Sequence, residues 1–388
     1  MVLSREPFSG DFRMSRLLPV PLRFAPWFEQ PEPDEADTAR RIAAALAGHA
    51  EGDAPLRRLH ARTHGLLRGE LQVLENLAEP LAQGLFAEPA TYETVVRLSS
   101  HAAEGDDGAT APRGMAVKVL GVSGERLPGS ENDLTQDFVL VNAPAASAGG
   151  EHPLPAGLDA ADGGRTTAAS TWGLAAMMRA GGAVMGAVGG GVLASALGTA
   201  GAGHVLGETF YSQAPLLYGP YIAKIAIAPV SPELIALTGT RLSVAGRPDA
   251  LREEVVAFFR EQGGEWDVLV QLCTDLATMP IEDASVRWPE EASPYLRVAR
   301  LRIPAQEAWS PQRAETVDAG LSFSPWHGLA AHRPLGRVMR LRRETYAAVA
   351  AARARRIGRA LAEPRSFDDL PGFAHVAPVS QWVGAPAP

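Results

Sequence analysis

The chain has 388 residues, and its hydrophobic fraction of 46% and charged fraction of 21% are typical of a soluble globular protein. Its formal net charge of −8 argues against a general nucleic-acid binder, because phosphate contacts require a basic surface. Cys273 is the only cysteine of the sequence, which excludes an internal disulfide and a thiolate metal cluster. This cysteine usage fits a reducing compartment, and we expect a cytoplasmic protein.

The first 34 residues are rich in proline and irregular, which predicts an N-terminal arm lying over the body of the protein. Charged residues and prolines interrupt it where a signal peptide needs an unbroken apolar stretch, so no export signal is predicted. Small apolar residues then recur at helical spacing from Glu35 to His49, and this pattern predicts the first helix. We assign residues 35–388 to a single domain.

From Val95 onward, short runs of alternating apolar and polar residues predict strands, and the turn residues between them favour an antiparallel sheet or barrel. A helix is predicted from Pro248 to Gln262, and an arginine-rich helix closes the chain. The fold class is therefore α+β. The predicted strands are VVRLSS, GMAVKVLGV, DFVLVNAP, YIAKIAIAPV, WDVLVQLC and YLRVARLRIP.

An apolar Gly/Ala-rich insertion is predicted at residues 176–206. Its part from Ala180 to Leu206 has no Asp, Glu, Lys or Arg over 27 positions, a length that can span a bilayer. Nine of these positions are glycine, however, and glycine lowers helix propensity and adds no side-chain hydrophobicity. We therefore favour a mobile loop or a weak membrane-surface contact over a transmembrane helix.

Four segments contain residue types suited to chemistry. In RRLHARTHGLLRGELQV, Arg57 comes three residues before His60, and His64 follows four residues later. In VVRLSS, Arg97 and Ser99 share one face of a strand because side chains alternate. The third segment is APRGMAVKVL followed by NDLTQDFVLVN, and the fourth is LRRETYAAVAAAR, which FSPWHGLAAHRPLG precedes.

The fourth segment predicts a helix, because it is rich in alanine and continues without Gly or Pro to Arg356. Arg342, Tyr346 and Arg353 are spaced by four and seven residues, which places them on one helix face. A guanidinium one turn from a phenol stabilises the phenolate form. The spacing therefore indicates a tyrosinate held by arginine, although a core tyrosine on an amphipathic helix has the same spacing.

In this order, the motifs resemble those of the catalase family of haem proteins. HARTHG after a basic residue, VRLS, PRGMAVK and the terminal RRETY helix match the family pattern from about residue 57 to 353, which is most of the chain. RWPEEASPYLRVARLRIP and GLSFSP resemble the late barrel strand and the approach to the haem ligand. The length resembles the compact single-domain branch, whose members include peroxidase-like proteins and relatives acting on fatty-acid hydroperoxides.

The resemblance implies a catalase-like antiparallel β-barrel with flanking helices, and haem b with its iron as cofactor. It implies that Tyr346 is the iron ligand and that Arg342 holds it as tyrosinate. It also implies that His60 is the distal base and that Ser99 orients it. The remaining cofactor-binding residues that it implies are Arg57, Arg97 and Arg353 at the haem propionates and Phe138 in the distal pocket.

The sequence departs from the family near the distal amide. Catalases have a distal asparagine just before a Thr-Pro step, but alignment on Thr135 puts Asp133 there and Asn132 one residue off register. We take Asn132 as the candidate catalytic amide. The upstream F-x-R-E-R signature is also not recognisable, and AHRPLGRVMR inserts several residues before the tyrosine. These departures argue against efficient disproportionation of hydrogen peroxide.

The function predicted is a haem-dependent oxidoreductase acting on peroxides, a catalase-related peroxidase with room for weak catalase activity. The alternatives are an enzyme that transforms fatty-acid or lipid hydroperoxides and a non-enzymatic haem carrier. The implied partners are hydrogen peroxide or an organic hydroperoxide and no nucleic acid, and a homo-oligomer is compatible with the pattern.

We interpret His64 as structural or pocket-lining and Arg113 as a structural ion-pair former. The nine arginines from Arg333 to Arg359 are not interpreted as a nucleic-acid helix, because the net charge is acidic and Arg342 and Arg353 have catalase-like spacing around Tyr346. The remaining arginines are interpreted as a solvated face or as partners of the excess carboxylates.

Overall fold

The fold was obtained as a computed structural model that describes residues 18–48, 56–57, 60–100, 112–146, 203–244 and 246–373. Its main element is an antiparallel sheet of nine strands. The strands are β1 (Arg62–Val73), β2 (Thr91–Ser100), β3 (Arg113–Leu120), β4 (Thr135–Val141), β5 (Phe210–Tyr211), β6 (Leu216–Tyr218), β7 (Tyr221–Pro229), β8 (Gly264–Leu272) and β9 (Leu296–Ile303).

The sheet closes into a barrel. The strand order is β5-β4-β3-β2-β1-β9-β8-β7-β6, and β5 also pairs with β7 through Phe210–Ile227 and Tyr211–Ala226. Eight strands therefore form a closed ring, and β6 lies outside it against β7. The predicted α+β fold with an antiparallel barrel is confirmed, and each of the six predicted strands is present.

Helices flank the barrel. The two helices predicted at Glu35–His49 and Pro248–Gln262 are confirmed as α1 and α3, and the arginine-rich helix is confirmed as α5. The helices are α1 (Glu35–Gly48), α2 (Pro232–Ile235), α3 (Ala250–Glu261), α4 (Pro311–Arg313) with a π-helical turn at Ala314–Ala319, and α5 (Arg337–Ile357). Short 3₁₀ turns lie at Pro26–Phe28, Gly84–Phe86, Val205–Gly207, Ala330–His332 and Phe367–Asp369.

Strand alternation gives the barrel two apolar faces. The interior is filled by residues such as Leu98, Val117 and Trp266, which are buried in the main core. The intervening residues point outward, and some of them, including Val95 and Ala116, pack in a second cluster with Phe323. The segments that follow β9 cover this outer face.

Helix α5 has a defined start and end. Two carboxylates accept hydrogen bonds from backbone amides at its N-terminus, which have no partner within the helix. Arg337 N donates to Glu282 (2.7 Å) and Gly336 N donates to Glu29 (3.0 Å). It ends at Gly358, whose φ of 70° is the left-handed conformation that glycine adopts at helix ends. Arg340 also pairs with Glu29, Glu35 and Glu282, which fixes the helix relative to the arm and to α1.

The described part of the N-terminal segment lies on the barrel. Leu22 N donates to Cys273 O (2.7 Å) and Phe24 N donates to Pro220 O (2.8 Å), and both side chains pack beside Ile222. Residues 1–17 and most of the predicted apolar insertion, up to residue 202, lie outside the described residues. The proposed boundaries at 34 and 176–206 therefore remain predictions. Within the described ranges, no helix combines the length and apolarity needed to cross a membrane.

Candidate active site

A cavity with about 720 Å³ of empty volume lies between the outer face of the barrel and helix α5. The floor comes from three neighbouring strands, and the opposite wall comes from the helix. Of the nine predicted site residues, six line this cavity, and they come from segments almost 300 residues apart in the sequence. They are Arg57, His60, Arg97, Ser99, Tyr346 and Arg353.

Sheet register explains the floor. Arg97 of β2 pairs with Ala116 of β3, and Ala116 pairs with Val139 of β4. Ser99 pairs with Gly114 in the next row on the same face. Because side chains alternate along each strand, these residues all face outward toward the cavity.

Helix α5 supplies the phenol. Tyr346 and Arg353 both line the cavity, as their spacing of seven residues predicts for one helix face. Val349 and Ala350 lie between them on the same wall. Arg342 is buried one turn before Tyr346 and is not among the lining residues, and its Nη1 lies 3.9 Å from the sulfur of Met339.

His60 has an unusual backbone conformation. Its φ is 51°, a left-handed value that non-glycine residues rarely adopt. Arg97 Nη2 donates to the His60 carbonyl oxygen at 2.8 Å. The imidazole lies against Gly114: a Cβ at that glycine would be 2.8 Å from His60 Nδ1 and 3.3 Å from Ser99 Oγ. The ring, the serine hydroxyl and the glycine are therefore in close proximity, and the absence of a side chain at residue 114 makes room for the imidazole.

The arginines of the cavity surround one carboxylate that the sequence analysis did not identify. Asp318 lies in the π-helical turn, and its Oδ1 accepts from Arg97 Nε at 2.6 Å and from Thr63 Oγ1 at 2.9 Å. Arg57 Nε is 3.5 Å from the same oxygen. Arg57 and Arg353 each donate through Nη2 to the carbonyl oxygen of Leu321, at 2.8 and 2.7 Å.

Three arginines against one aspartate leave two positive charges unbalanced in this part of the cavity. Burial, together with the nearby charges of Arg97 and Arg353, places the pKa of Arg57 well below its usual value. Burial and the charge of Arg97 lower the pKa of Arg353 to about 10. Burial opposes ionisation of Asp318, but Arg97 and Arg57 outweigh it, and the pKa of Asp318 is lowered. The electrostatics therefore favour additional anionic groups at the arginines.

The structure does not place Asn132 among the residues that line the cavity, and its selection as a catalytic residue remains a prediction. Asn132 is exposed in the turn between β3 and β4, where water rather than the cavity surrounds its amide. Asp133, the alternative, lies with Oδ2 3.6 Å from His327 Nε2, away from the lining residues. In the part of the chain that the structure describes, the lining contains no amide side chain.

Phe138 also lies outside the cavity lining, and its assignment to a distal pocket remains a prediction. It neighbours Val139 on β4, and strand alternation turns it into the barrel interior. There it stacks on Phe86 with ring centroids 6.3 Å apart and lines a separate, smaller cavity. The position of Phe138 on the strand, rather than its residue type, decides which side of the sheet its side chain faces.

The interpretations of His64 and Arg113 agree with their contacts. His64 is buried on β1, where its Nε2 lies 2.8 Å from Ser100 Oγ, and it does not line the cavity. Burial and the nearby arginines, Arg113 first, place the pKa of His64 well below its usual value. Arg113 pairs with Glu208 at 2.7 Å.

Three solved structures share this fold. A fungal catalase superposes with a TM-score of 0.55 at 17% identity, covering 81% of this chain and 61% of its own. Catalase A from Saccharomyces cerevisiae gives 0.53 at 14% identity, covering 86% and 67%, and a bacterial catalase gives 0.52 at 15%, covering 86% and 63%. The chain thus has a catalase-like fold and spans about 61% of the fungal protein's length. No family model matches the sequence, and neither does any curated protein.

The arrangement places a phenol, an imidazole and an excess of guanidinium charge around one buried space. The described residues contain no group of three or more His, Cys, Asp or Glu side chains placed to hold a metal ion. The site therefore suits a group with anionic substituents, which the arginines can bind.

Proposed function

We propose that the protein is a haem-dependent oxidoreductase that acts on peroxides. The observation that supports this best is the pair of unbalanced positive charges on Arg57, Arg97 and Arg353, in a cavity that Tyr346 and His60 also line. Haem b has two propionates, which would neutralise these charges. A phenol is one of the side chains that ligate haem iron in proteins.

The residues present fit this cofactor. Arg353 Nε is buried and has no hydrogen-bond partner among the described residues, so a carboxylate could accept from it without displacing a bond. Gly114 presents no side chain toward the imidazole. In this proposal Tyr346 is the iron ligand, Arg57, Arg97 and Arg353 bind the propionates, and buried Arg342 supports the tyrosine from the preceding turn.

His60 is the group that moves protons. Haem, when bound, supplies the redox chemistry that cleaves the O–O bond. The imidazole can accept the proton of a peroxide and return it to the departing oxygen, so that a neutral product leaves. Nε2 is the atom for this exchange, because Nδ1 lies against Gly114. The remaining lining is largely apolar, with Met115, Val139 and Phe323, and limits the water that competes for the proton.

Tyr346→Phe tests the ligand assignment. We expect the purified wild-type protein to bind ferric haem with a high-spin, phenolate-ligated spectrum, and we expect haem occupancy to fall sharply in this variant. The matched control is Tyr295→Phe, because Tyr295 is also half-buried but does not line the cavity. Optical spectra and haem content per chain provide the measurement. Full haem content with an unchanged spectrum in Tyr346→Phe would refute the assignment.

A second candidate is the transformation of lipid or other organic hydroperoxides. The observation in its favour is the apolar side chains of Ala116, Val139, Phe323 and Val349 at the cavity, without a lining amide among the described residues. An apolar wall stabilises a hydrocarbon chain more than it stabilises hydrogen peroxide. Parallel assays of oxygen release, dye oxidation and loss of a conjugated-diene hydroperoxide separate the two candidates. A haem carrier would be active in none of them.

A further inference from the structure

The backbone of His60 is held by groups that are not part of its own segment. Its left-handed conformation is one that a non-glycine residue keeps only when its surroundings impose it. Arg97 Nη2 donates a hydrogen bond of 2.8 Å to the His60 carbonyl oxygen. The position of the imidazole in the cavity is therefore coupled to the position of a guanidinium on β2.

That guanidinium is itself fixed by Asp318. The carboxylate accepts from Arg97 Nε at 2.6 Å, and the side chains of this pair are 4% and 20% exposed. Thr63 completes a closed set of contacts, because its Oγ1 accepts from Arg97 Nη2 at 2.8 Å and donates to Asp318 Oδ1 at 2.9 Å. Burial makes a charge-assisted pair with a shared hydrogen-bond partner rigid.

We infer that Asp318 is a positioning residue for His60. It fixes Arg97, and Arg97 holds the His60 carbonyl so that the imidazole faces the cavity beside Gly114. The inference deepens the proposed function, since Arg97 is also a proposed propionate-binding residue. Asp318 thereby links Arg97, at the proposed propionate site, to the position of the His60 imidazole.

The link between Asp318 and His60 runs through Arg97 rather than through Arg57 or Arg353. Arg57 is 3.5 Å from Asp318 at its Nε but donates to the Val317 and Leu321 carbonyl oxygens. Arg353 donates to Leu321. Because Arg97 donates to the His60 carbonyl oxygen, loss of Asp318 should displace His60 through Arg97.

The test uses Asp318→Asn, which keeps the size of the side chain and removes its charge. Glu208→Gln is the matched control. Glu208 pairs with Arg113 at 2.7 Å, and neither residue lines the cavity. The side chain of Glu208 is 17% exposed and that of Arg113 is 3% exposed. Both variants thus remove the charge of one buried carboxylate from an ion pair on the same sheet. Work at pH 8 keeps Glu208 largely ionised, because burial raises its pKa to about 7.

The first readout does not require cofactor. Histidine ring signals are recorded by NMR on the cofactor-free protein, and the His60 signal is identified by its loss in His60→Asn. We expect Asp318→Asn to shift or broaden this signal and Glu208→Gln to leave it in place. An unchanged His60 signal in folded Asp318→Asn, or an equal shift in both variants, would overturn the inference.

Thr63→Val provides a second route if Asp318→Asn fails to fold. It removes the hydroxyl shared by Arg97 and Asp318 but keeps both charges. We expect a smaller displacement of the same His60 signal. The inference fails if this folded variant leaves the signal unchanged.

The second readout uses haem-loaded protein. The rate at which peroxide reacts should fall about a hundredfold in Asp318→Asn, as for a proton-transfer group displaced by roughly 1 Å, while Asp318→Glu restores part of it. An unaltered rate in Asp318→Asn would contradict the inference. Failure of the wild-type protein to bind haem would instead refute the proposed function, and the cofactor-free NMR result would still decide the role of Asp318.

Discussion

His60 and His64 are four residues apart in one motif, yet their surroundings differ. His60 lies at the cavity with a strained backbone, whereas His64 is buried on β1 against Ser100. A left-handed residue costs about 1–2 kcal/mol, which the bond from Arg97 must offset. Strain retained at a cavity indicates a functional position, while the satisfied bond of His64 indicates a structural one.

Alanine substitution should separate the two roles. His60→Ala is expected to leave haem bound and to slow the reaction with peroxide by about a hundredfold or more, because it removes positioned proton transfer. His64→Ala should cost much less in rate. It should lower the free energy of unfolding by about 1–3 kcal/mol, since Ser100 loses a buried hydrogen-bond partner.

Stopped-flow absorbance and denaturant unfolding on both variants provide the measurements. The reverse pattern, with the larger loss of rate in His64→Ala, would mean that the register of HARTHG has been misread.

At the scale of elements, the strands and helices with a periodic residue pattern could be predicted from the sequence. The six strands from VVRLSS onward were recognisable because apolar residues alternate and turn residues separate the runs. Helix α5 was recognisable from its alanine content, and it starts at Arg337, nine residues before Tyr346. The face shared by Tyr346 and Arg353 followed directly from helix geometry.

Other elements gave no usable local signal. Strand β1 has polar residues and two glycines among its leucines, and its ladder to β2 contains an irregularity between Thr63 and Gly65. Strand β5 closes the barrel with two residues, fewer than any periodic pattern requires. Asp318 lies in a π-helical turn far from its partners in the sequence, so its contacts arise from tertiary packing alone.

Position in the sheet also explains why two candidates, Phe138 and Asn132, do not line the cavity. Phe138 has the residue type of a pocket wall, but the alternation of β4 turns it inward while Val139 faces the cavity. Asn132 has the residue type of a hydrogen-bond donor to peroxide, but it belongs to an exposed turn. Gly114 went unnoticed because a glycine's role as space for a neighbouring ring is visible only in three dimensions.

Gly114→Ala tests the close packing on β3. The added Cβ would lie 2.8 Å from His60 Nδ1, so the imidazole must shift. Overpacking should cost about 1–3 kcal/mol of stability, and a shift of about 1 Å should slow the reaction with peroxide about a hundredfold.

Gly203→Ala is the matched control for this change, because its Cβ would meet nothing closer than Glu208 at 3.5 Å. Thermal unfolding and the rate of reaction with peroxide are measured for both. Equal rates in the two variants would show that the ring is free to move aside without consequence.

At the scale of the whole molecule, the barrel and helix α5 enclose the cavity between them. The helix is tied to the rest by Arg340, which pairs with Glu29 of the arm, Glu35 of α1 and Glu282 before β9. The wall that carries Tyr346 is thus anchored at its N-terminal end by three separate segments. The barrel that forms one side of the cavity belongs to the catalase-like fold that the chain shares with these solved structures.

The lining of the cavity predicts the balance of activities under the proposed function. No amide side chain is among the described lining residues, so hydrogen peroxide bound there would lack an amide hydrogen-bond donor. One well-placed donor to a transition state contributes about 2.7–4 kcal/mol, equivalent to roughly a hundred- to a thousandfold in rate. We therefore expect oxidation of an organic donor, or turnover of a bulkier hydroperoxide, to exceed oxygen release at equal peroxide concentration. Oxygen-electrode and absorbance assays on one haem-loaded preparation measure both. Oxygen release with kcat/KM approaching about 10⁸ M⁻¹s⁻¹ would contradict the prediction and would require another donor in the cavity.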